Sequence, residues 1–270
     1  MAKEKRVITL LTDFGLEDEY VGVMKGVILS LNREALIVDI THQIRRHDVA
    51  QAALVVAASF SYFPRESVHV VVVDPGVGGN RRVICVEAAG HYFLTPDNGV
   101  LSLVLAENEV KRIHAVTDPA YFLMSLSDTF HGRDLFAPVA AHLVGDVCMT
   151  QLGDPLCPED LVQIDFPKPR LPADGTLVGQ IVSADHFGNL ITNIDRETLR
   201  TFRGSENAAD VSIQVGRLYI EGISKAYTAV PVGRPVAVLG SKNRLEISIN
   251  QSDASAQVDD GEEKVILRLK

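Results

Sequence analysis

The sequence predicts an α/β domain with a mostly parallel sheet at residues 1–166, followed by a smaller antiparallel β domain at residues 175–270. In the first part, apolar runs of strand length alternate with apolar patterns of helical spacing. Residues 165–175 then carry three prolines among polar residues, which is typical of a domain boundary. Beyond them, short β-type runs are separated by Gly, Asn and Asp, which favours a small antiparallel sandwich or barrel.

The first two strands each precede a predicted helix. Residues 7–11 form an apolar run of strand type, and residues 36–40 repeat the pattern. Asp18 and Asp48 are expected to cap the helices that follow. The apolar residues of the first helix recur at helical spacing, at Val21, Met24, Ile28 and Leu31. The two units therefore form the start of a βαβαβ series.

Residues 68–73 supply the third strand of this series. Such a series predicts parallel pairing with right-handed crossovers, so the carboxyl ends of the strands gather at one edge of the sheet. Asp13, the polar group at residues 39–42, and Asp74 follow the three strands directly. We therefore expect them to share that edge.

The third strand stops abruptly at residues 74–79, Asp-Pro-Gly-Val-Gly-Gly. A carboxylate at the end of a buried strand lies where open α/β sheets bind ligands. The glycines allow positive φ or close backbone approach, and Arg81 and Arg82 bring positive charge to the same corner. The alternative is a tight turn with a solvated Asp74. A dinucleotide-binding loop is not indicated, because such a loop follows the first strand and opens a helix.

A second candidate site follows in the first domain. The sequence predicts, in order, a hairpin from residues 82–87 and 91–95, Pro-Asp-Asn-Gly at 96–99, a helix at 100–105 and a strand at 111–116. Residues 129–134, Thr-Phe-His-Gly-Arg-Asp, then open a helix that runs to about Leu143. This places His131 near a helix N-terminus, where anions are favoured.

The second domain carries two polar turns that suit a small ligand. Its predicted strands are residues 177–183, 190–194, 211–215, 218–220, 236–239, 245–249 and 265–269. Asp185 and Asn189 flank Phe187, so they offer a carboxylate, a carboxamide and an aromatic face to an amine and a heteroaromatic ring. Ser241 and Lys242 offer a hydroxyl and an amine to a carboxylate. Hairpin turns or solvated loops without function would have the same composition.

The composition argues against several other classes. The net charge of −9 disfavours non-specific binding to nucleic acid or to an anionic membrane. The charged N-terminus is followed at once by a strand, which is unlike a signal peptide, so a cytoplasmic location is expected. Cys85, Cys148 and Cys157 lack the spacing of a zinc site and are interpreted as packing residues. His42 and His47 lack a third ligand, so no metal is predicted. A small molecule is the expected partner.

Five groups of residues together resemble the motifs of one family. They are Thr-Asp-Phe-Gly at 12–15, Val-Asp-Pro-Gly-Val-Gly at 73–78 with Arg81, residues 96–99, residues 129–134, and Phe-Gly-Asn at 187–189 with Thr-Asn-Ile at 192–194. They resemble the S-adenosyl-L-methionine (SAM) hydroxide adenosyltransferases, or SAM hydrolases, which are relatives of the fluorinase and chlorinase. The resemblance implies a Rossmann-like N-terminal domain, a β-barrel-like C-terminal domain and a homotrimer with sites at subunit interfaces. It also implies hydrolysis of SAM to adenosine and methionine, with SAM as substrate and no further cofactor.

The resemblance assigns roles by position in this sequence. Asp74, Arg81 and His131 match the family's triad around the attacking water. The expected substrate contacts are Asp13 for the ribose, Asp185 and Ser241 for the methionine part, Asn189 for the adenine, and additionally Asn98, Phe187 and Lys242.

The reaction itself can be reasoned from general chemistry. Departure of the sulfonium leaves a neutral thioether, so no general acid is needed, whereas water must be held in line and made more hydroxide-like. A halide would be repelled by Asp74, and in the fluorinase this corner is Tyr-Pro-Ala-Thr instead of Asp-Pro-Gly-Val. Three alternatives stay open: a SAM-dependent halogenase, a module that binds SAM or adenosine without turnover, and a methyltransferase.

Overall fold

The computed structural model describes residues 6–145, 147–204, 211–258 and 263–270. The chain divides into two compact units, Met1–Asp165 and Phe166–Lys270. The charged residues 1–5, on which the expectation about a signal peptide depends, lie outside the described residues. Within the described ranges, no helix combines the length and the apolar character that crossing a bilayer requires.

The first unit is built on a six-stranded sheet in the order β2-β1-β3-β5-β4-β6. Its strands are β1 (Val7–Thr12), β2 (Leu36–Thr41), β3 (Val68–Val72), β4 (Val83–Ala88), β5 (His91–Pro96) and β6 (Val110–Ala115). The pairs β1–β2, β1–β3 and β3–β5 are parallel, and only the pairings of β4 are antiparallel. The prediction of a mostly parallel α/β sheet is therefore confirmed. Because β4 runs against its neighbours, its first residue lies at the carboxyl edge of the other five strands.

Within the described part of the first unit, four α-helices accompany this sheet: α1 (Tyr20–Leu31), α2 (Val49–Ser59), α3 (Ser102–Glu107) and α4 (Ala137–Gly145). Asp48 caps α2 as expected, because its side chain accepts a hydrogen bond from the Gln51 amide. The prediction that Asp18 caps α1 is wrong. That helix begins after Glu19 without a side-chain cap, so Asp18 lies one residue before the capping position and out of register with the first free amides.

The helix expected to open at residues 129–134 begins after His131. It starts as a π-helical stretch, Gly132–Phe136, and continues as α4. Single π-helical turns within helices are frequent at functional sites. His131 directly precedes this stretch, with right-handed helical dihedrals of φ −62° and ψ −24°.

The second unit is a nearly closed antiparallel barrel of seven strands in the order β10-β9-β13-β7-β8-β12-β11. The strands are β7 (Thr176–Ala184), β8 (Leu190–Asp195), β9 (Val211–Val215), β10 (Leu218–Glu221), β11 (Pro235–Leu239), β12 (Arg244–Ile249) and β13 (Lys264–Leu269). Strands β10 and β11, at the two ends of this order, lie in contact. All seven predicted strands are present, and the barrel-like prediction is confirmed.

One helix of the second unit, α5 (Arg196–Arg203), is missing from the sequence predictions. Its start and stop signals are nevertheless in the sequence. Asp195 accepts a hydrogen bond from the Thr198 amide, and Gly204 ends the helix with φ +60°. The interpretation of the cysteines as packing residues holds for the buried Cys85 only, because the two others lie exposed at the starts of short surface turns.

A hydrogen-bonded pair of histidines is buried in the first unit. His69 Nδ1 lies 2.8 Å from Thr9 Oγ1, and His69 Nε2 lies 3.1 Å from His91 Nδ1. Burial, reinforced by the charge of His91, lowers the pKa of His69 to about 3. His69 is therefore neutral in the folded protein at physiological pH, whereas in the unfolded chain its pKa is about 6.5.

We expect this difference to make the folded state acid-sensitive. The unfolded chain binds a proton at His69 below about pH 6.5, whereas the folded chain does so only near pH 3. As the pH is lowered from about 6.5 towards 3, the free energy of unfolding therefore falls by up to about 1.4 kcal/mol per pH unit. Urea unfolding at a series of pH values measures the slope. His69→Gln should flatten it, and the exposed His186→Gln serves as control. An unchanged slope in His69→Gln would contradict the assignment.

Candidate functional site

The carboxyl edge of the first sheet brings together candidates that are distant in sequence. Thr12 of β1 pairs in register with Val72 of β3. Asp13 and Asp74 therefore follow the ends of two adjacent parallel strands, as the βαβαβ pattern predicts. Arg81 lies at the same edge, because it shortly precedes the first residue of the antiparallel β4.

Asp74 and Arg81 form a bidentate ion pair across the loop that joins β3 and β4. Arg81 Nε donates to Asp74 Oδ2 at 2.9 Å and to Oδ1 at 3.1 Å, while Nη2 donates to Oδ2 at 2.6 Å. The two side chains are only 5% and 13% exposed, respectively. A fork of this kind fixes the plane of the carboxylate as well as its position.

His131 extends this pair to a hydrogen-bonded group of three. Arg81 Nη2 lies 2.7 Å from His131 Nδ1. A guanidinium can only donate, so Nδ1 accepts and the proton of the neutral ring is on Nε2. Burial, and next the charge of Arg81, lower the pKa of His131. Near neutral pH the group therefore offers one carboxylate acceptor, one guanidinium and one imidazole N–H donor.

The loop between β3 and β4 reaches His131 because Gly78 packs directly on the backbone of Asp128, which lies three residues before His131. Gly78 has φ +74°, and a Cβ at this position would collide with the carbonyl oxygen of Asp128. Only glycine satisfies both the backbone conformation and the close approach. Of the glycines noted in the sequence, Gly78 thus packs the two loops together, which brings Arg81 to His131.

Asp13 is oriented by the loop after β2. Its Oδ2 accepts a hydrogen bond from the His47 amide at 2.8 Å, and His47 has a left-handed backbone with φ +66°. Gly15 donates to the carbonyl of His42 at 2.8 Å, which ties the same two loops together. Among the contacts of the described residues, Asp13 Oδ1 carries no hydrogen bond, so it is available to a ligand.

Asn98 lies at the same edge but is engaged with the protein at both ends of its carboxamide. Nδ2 donates to the carbonyl of Val73 at 2.8 Å, and Oδ1 accepts from the Val100 amide at 3.2 Å. The expected substrate contact at Asn98 therefore involves a side chain whose orientation is already determined by the backbone around it.

In the second unit, the turn between β7 and β8 holds its own polar groups together. Asp185 Oδ1 accepts from the Phe187 and Asn189 amides, each at 2.9 Å, and Oδ2 accepts from Asn189 Nδ2 at 2.8 Å. Phe187 is 76% exposed. The turn therefore presents a fixed carboxylate and carboxamide beside an exposed aromatic face. Ser241 and Lys242 lie exposed in the hairpin loop between β11 and β12.

Sequence reasoning missed a polar pair in the barrel. Tyr227 donates its hydroxyl proton to Glu246 Oε2 at 2.7 Å, and Glu246 is buried. Burial, followed by this hydrogen bond, raises the pKa of Tyr227. A Cβ at Gly240 would collide with the Glu246 carboxylate, so the pair lies directly under the loop of Ser241. The signal in the sequence is a charged residue within the apolar run of β12.

A second missed pair lies beside the catalytic candidates. Arg82 donates to Asp97 Oδ2 from Nε at 2.9 Å and from Nη2 at 2.6 Å. The Asp97 side chain is 2% exposed. The arginine doublet indicated positive charge at this corner, but not that its two members have different partners. Among the described residues, no three or more His, Cys, Asp or Glu side chains are grouped so as to hold a metal ion.

Comparison with known proteins gives the same family for both units. The SAM hydroxide adenosyltransferase N-terminal domain matches residues 8–153, and the corresponding C-terminal domain matches residues 179–265. An (R)-S-adenosyl-L-methionine hydrolase from Methanocaldococcus jannaschii is 38% identical over 202 residues, covering 73% of this chain and 70% of the relative. One from Thermus thermophilus is 32% identical over 257 residues, covering 92% and 94%.

A solved structure extends the similarity to the whole fold. The crystal structure of an uncharacterized conserved protein from Thermotoga maritima is 35% identical, with a TM-score of 0.89 over 97% of this chain and 99% of that chain. The two family matches cover most of the sequence, in the order and at the positions of the two units. This protein belongs to the SAM hydroxide adenosyltransferase family.

Proposed function

We propose that this protein hydrolyses S-adenosyl-L-methionine to adenosine and L-methionine. The observation that carries the proposal is the hydrogen-bonded group of Asp74, Arg81 and His131 at the carboxyl edge of the first sheet. Membership of the family and the names of the relatives support the choice of substrate. The group contains an acceptor and a donor for a water molecule, with a cation between them.

The proposed step is an in-line displacement at the ribose 5′ carbon. The oxygen of water forms the new bond to C5′, while the C5′–S bond breaks and its electron pair returns to sulfur as a neutral thioether. One water proton remains in the adenosine hydroxyl and the other leaves to solvent. Asp74 accepts a hydrogen bond from the water and stabilises its hydroxide character, and His131 and Arg81 fix its orientation.

The same geometry disfavours a halide as nucleophile. A halide-binding pocket must replace the ion's hydration with donors, and the Asp74 carboxylate would repel the anion. Arg81 does not remove this repulsion, because its Nε and Nη2 already donate three hydrogen bonds to the Asp74 carboxylate. Water, which can donate to a carboxylate, is the nucleophile that the group suits.

The remaining site residues are proposed to hold the substrate. In the first unit, Asp13 accepts from the ribose hydroxyls through its available oxygen. In the second unit, the Asp185 carboxylate and Ser241 bind the amino-acid part, and Asn189 binds the adenine. Phe187 supplies an apolar face and Lys242 a positive charge for the substrate carboxylate. The fixed Asp185–Asn189 turn supports these roles, because preorganised groups bind at lower entropic cost.

We further propose that the protein is a homotrimer whose sites lie between subunits. Each site would combine the first unit of one chain with the second unit of its neighbour. In a closed three-fold ring, the contact is heterologous, so one surface of each chain meets a different surface of the next and three equivalent sites result. The presence of ligand-type groups in both units supports this arrangement.

The deciding experiment is product analysis in heavy-oxygen water. Purified protein is incubated separately with the (R) and (S) sulfonium epimers of SAM, and the products are identified by mass. We expect adenosine carrying the heavy label in its 5′-hydroxyl, with faster turnover of the (R) epimer, as the names of the relatives indicate. Unlabelled adenosine would contradict attack at carbon. A 5′-halo-adenosine formed in the presence of halide would indicate a halogenase, S-adenosylhomocysteine a methyltransferase, and binding without product a sensing module.

Replacing Asp13 by Asn is expected to weaken substrate binding more than it slows the chemical step. Asn retains an oxygen for the His47 amide but turns a carboxamide NH2 group toward the ribose. Imperfect pairing of buried polar groups costs roughly 1–3 kcal/mol. KM should therefore rise about tenfold or more. A 2′,3′-dideoxy analogue, which lacks the ribose hydroxyls, should bind the native protein more weakly than SAM does. The Asp13→Asn substitution should weaken the binding of this analogue little further. Fully additive losses would remove Asp13 from the ribose contact.

A further inference from the structure

The loop that carries Asp74 and Arg81 has two stems, and both are held by the same turn. The first stem is Val73, which directly follows β3 and directly precedes Asp74. The second stem is Arg82, directly after Arg81 and directly before β4. Asp97 and Asn98 follow β5, the strand that lies between β3 and β4 in the sheet. Their turn therefore lies between the two stems.

Asn98 holds the first stem. Its Nδ2 donates to the carbonyl oxygen of Val73 at 2.8 Å, one peptide before the carboxylate. Its Oδ1 accepts from the Val100 amide at 3.2 Å, which fixes the plane of the carboxamide. The bond to Val73 extends the contact between β3 and β5 beyond the last paired residues of their ladder, Val70 and Leu94.

Asp97 holds the second stem through both its backbone and its side chain. Its amide donates to the carbonyl of Arg82 at 2.9 Å, which continues the β4–β5 ladder past the Val83–Pro96 pair. Its Oδ2 accepts hydrogen bonds from Arg82 Nε at 2.9 Å and from Arg82 Nη2 at 2.6 Å. Because Arg82 is occupied in this way, only Arg81 is directed to Asp74.

The turn itself is anchored on its other side. Asp97 Oδ1 accepts from the Val162 amide at 2.9 Å, and the side chain is 2% exposed. Gly99 has φ +91°, and a Cβ there would lie 3.0 Å from the Ile164 amide nitrogen. The last segment of the first unit thus closes over the turn, and the turn has little freedom to move with the loop.

We propose that Asp97 and Asn98 are positioning residues for the reaction: they set the relative position of Asp74 and Arg81, and through Arg81 that of His131. This assignment replaces the substrate contact expected for Asn98 from the sequence, and its kinetic consequence rests on the proposed hydrolysis. The Arg81 fork and the Arg81–His131 bond form only when both stems hold their register. A displacement of about 1 Å at such a group lowers turnover by about 100-fold.

The test uses Asn98→Ala and Asp97→Asn, with Asn108→Ala as matched control. Asn108 is also partly buried in the first unit and its Nδ2 also donates to a carbonyl, that of Val104, at 2.8 Å. It precedes β6, so it lies at the opposite edge of the sheet from the candidate site. We expect kcat for SAM to fall by roughly 10- to 100-fold in both test variants, with a much smaller change in KM, and to stay unchanged in the control.

A second readout does not depend on turnover. The pKa of His131, which is lowered by burial and by the nearby Arg81, is measured by NMR titration, with the signal assigned by its loss in His131→Gln. In both test variants it should rise, because Arg81 is no longer held against the ring. The Asn108→Ala control should titrate as the native protein does.

The outcomes separate the two proposals. Native protein that hydrolyses neither epimer of SAM would overturn the proposed function, and the His131 titration would still decide the positioning role. A native His131 titration in both test variants would overturn the positioning role, as would a rise in KM with native kcat, which would return Asn98 to the substrate contacts. A raised His131 pKa together with lowered kcat supports it.

Discussion

Asp74→Asn is expected to lower kcat for SAM by about 10²- to 10⁴-fold while KM changes much less. The variant keeps the size of the side chain but removes the negative charge that favours hydroxide character in the attacking water. It also replaces one of the carboxylate oxygens that accept from Arg81 by a carboxamide NH2 group, which can only donate. Because the water is activated mainly in the transition state, the loss appears in turnover and not in affinity. Steady-state kinetics measure turnover of SAM, and isothermal titration calorimetry with adenosine measures affinity separately.

Glu87→Gln is the matched control for this prediction. Glu87 is also a buried carboxylate of the first unit, paired with Arg112 and Lys111, and its side chain is 9% exposed. It lies near the end of the antiparallel β4, so it faces the amino edge of the parallel strands. Both variants remove the charge of a buried carboxylate that is paired with an arginine, but only Asp74→Asn should lose turnover. Equal losses in the two would indicate a general effect on folding, and unchanged kcat in Asp74→Asn would remove Asp74 from the chemistry.

Mixing two inactive variants is expected to restore activity. In the proposed trimer, Asp74→Ala inactivates the first unit and Asp185→Ala the second. After subunit exchange, a first unit from one variant can meet a second unit from the other with both groups intact. With random assembly of equal amounts, about one site in four is native, so activity should recover to about a quarter of the native value per site.

The control for the mixing experiment is a pair of variants in the same unit. Asp74→Ala mixed with Arg81→Ala leaves every site without one of the two partners, so no recovery is expected. Exchange is verified by native mass spectrometry with one chain isotopically labelled. Verified exchange without recovery would show that each site is contained within one chain.

The periodicity of the sequence was sufficient for most of the fold. The βαβαβ pattern predicted the parallel strands and their shared edge, because the side-chain period of a segment reflects the face that it buries. The seven short runs of the second domain were likewise all strands. The cap of α1 and the helix Arg196–Arg203 were not predicted correctly, because local signals of one or two residues compete with turns of the same composition.

The sequence by itself determined which chemical groups are present and, through five motifs, the family to which they belong. It also placed Asp13 and Asp74 at one edge. Only the tertiary structure decided how the groups are paired: Arg81 with Asp74 and His131, Arg82 with Asp97, and Asn98 with the backbone at Val73. The physical reason is that two adjacent arginines have identical donors, and which carboxylate each one meets depends on strand order and loop packing, which side-chain periodicity does not encode.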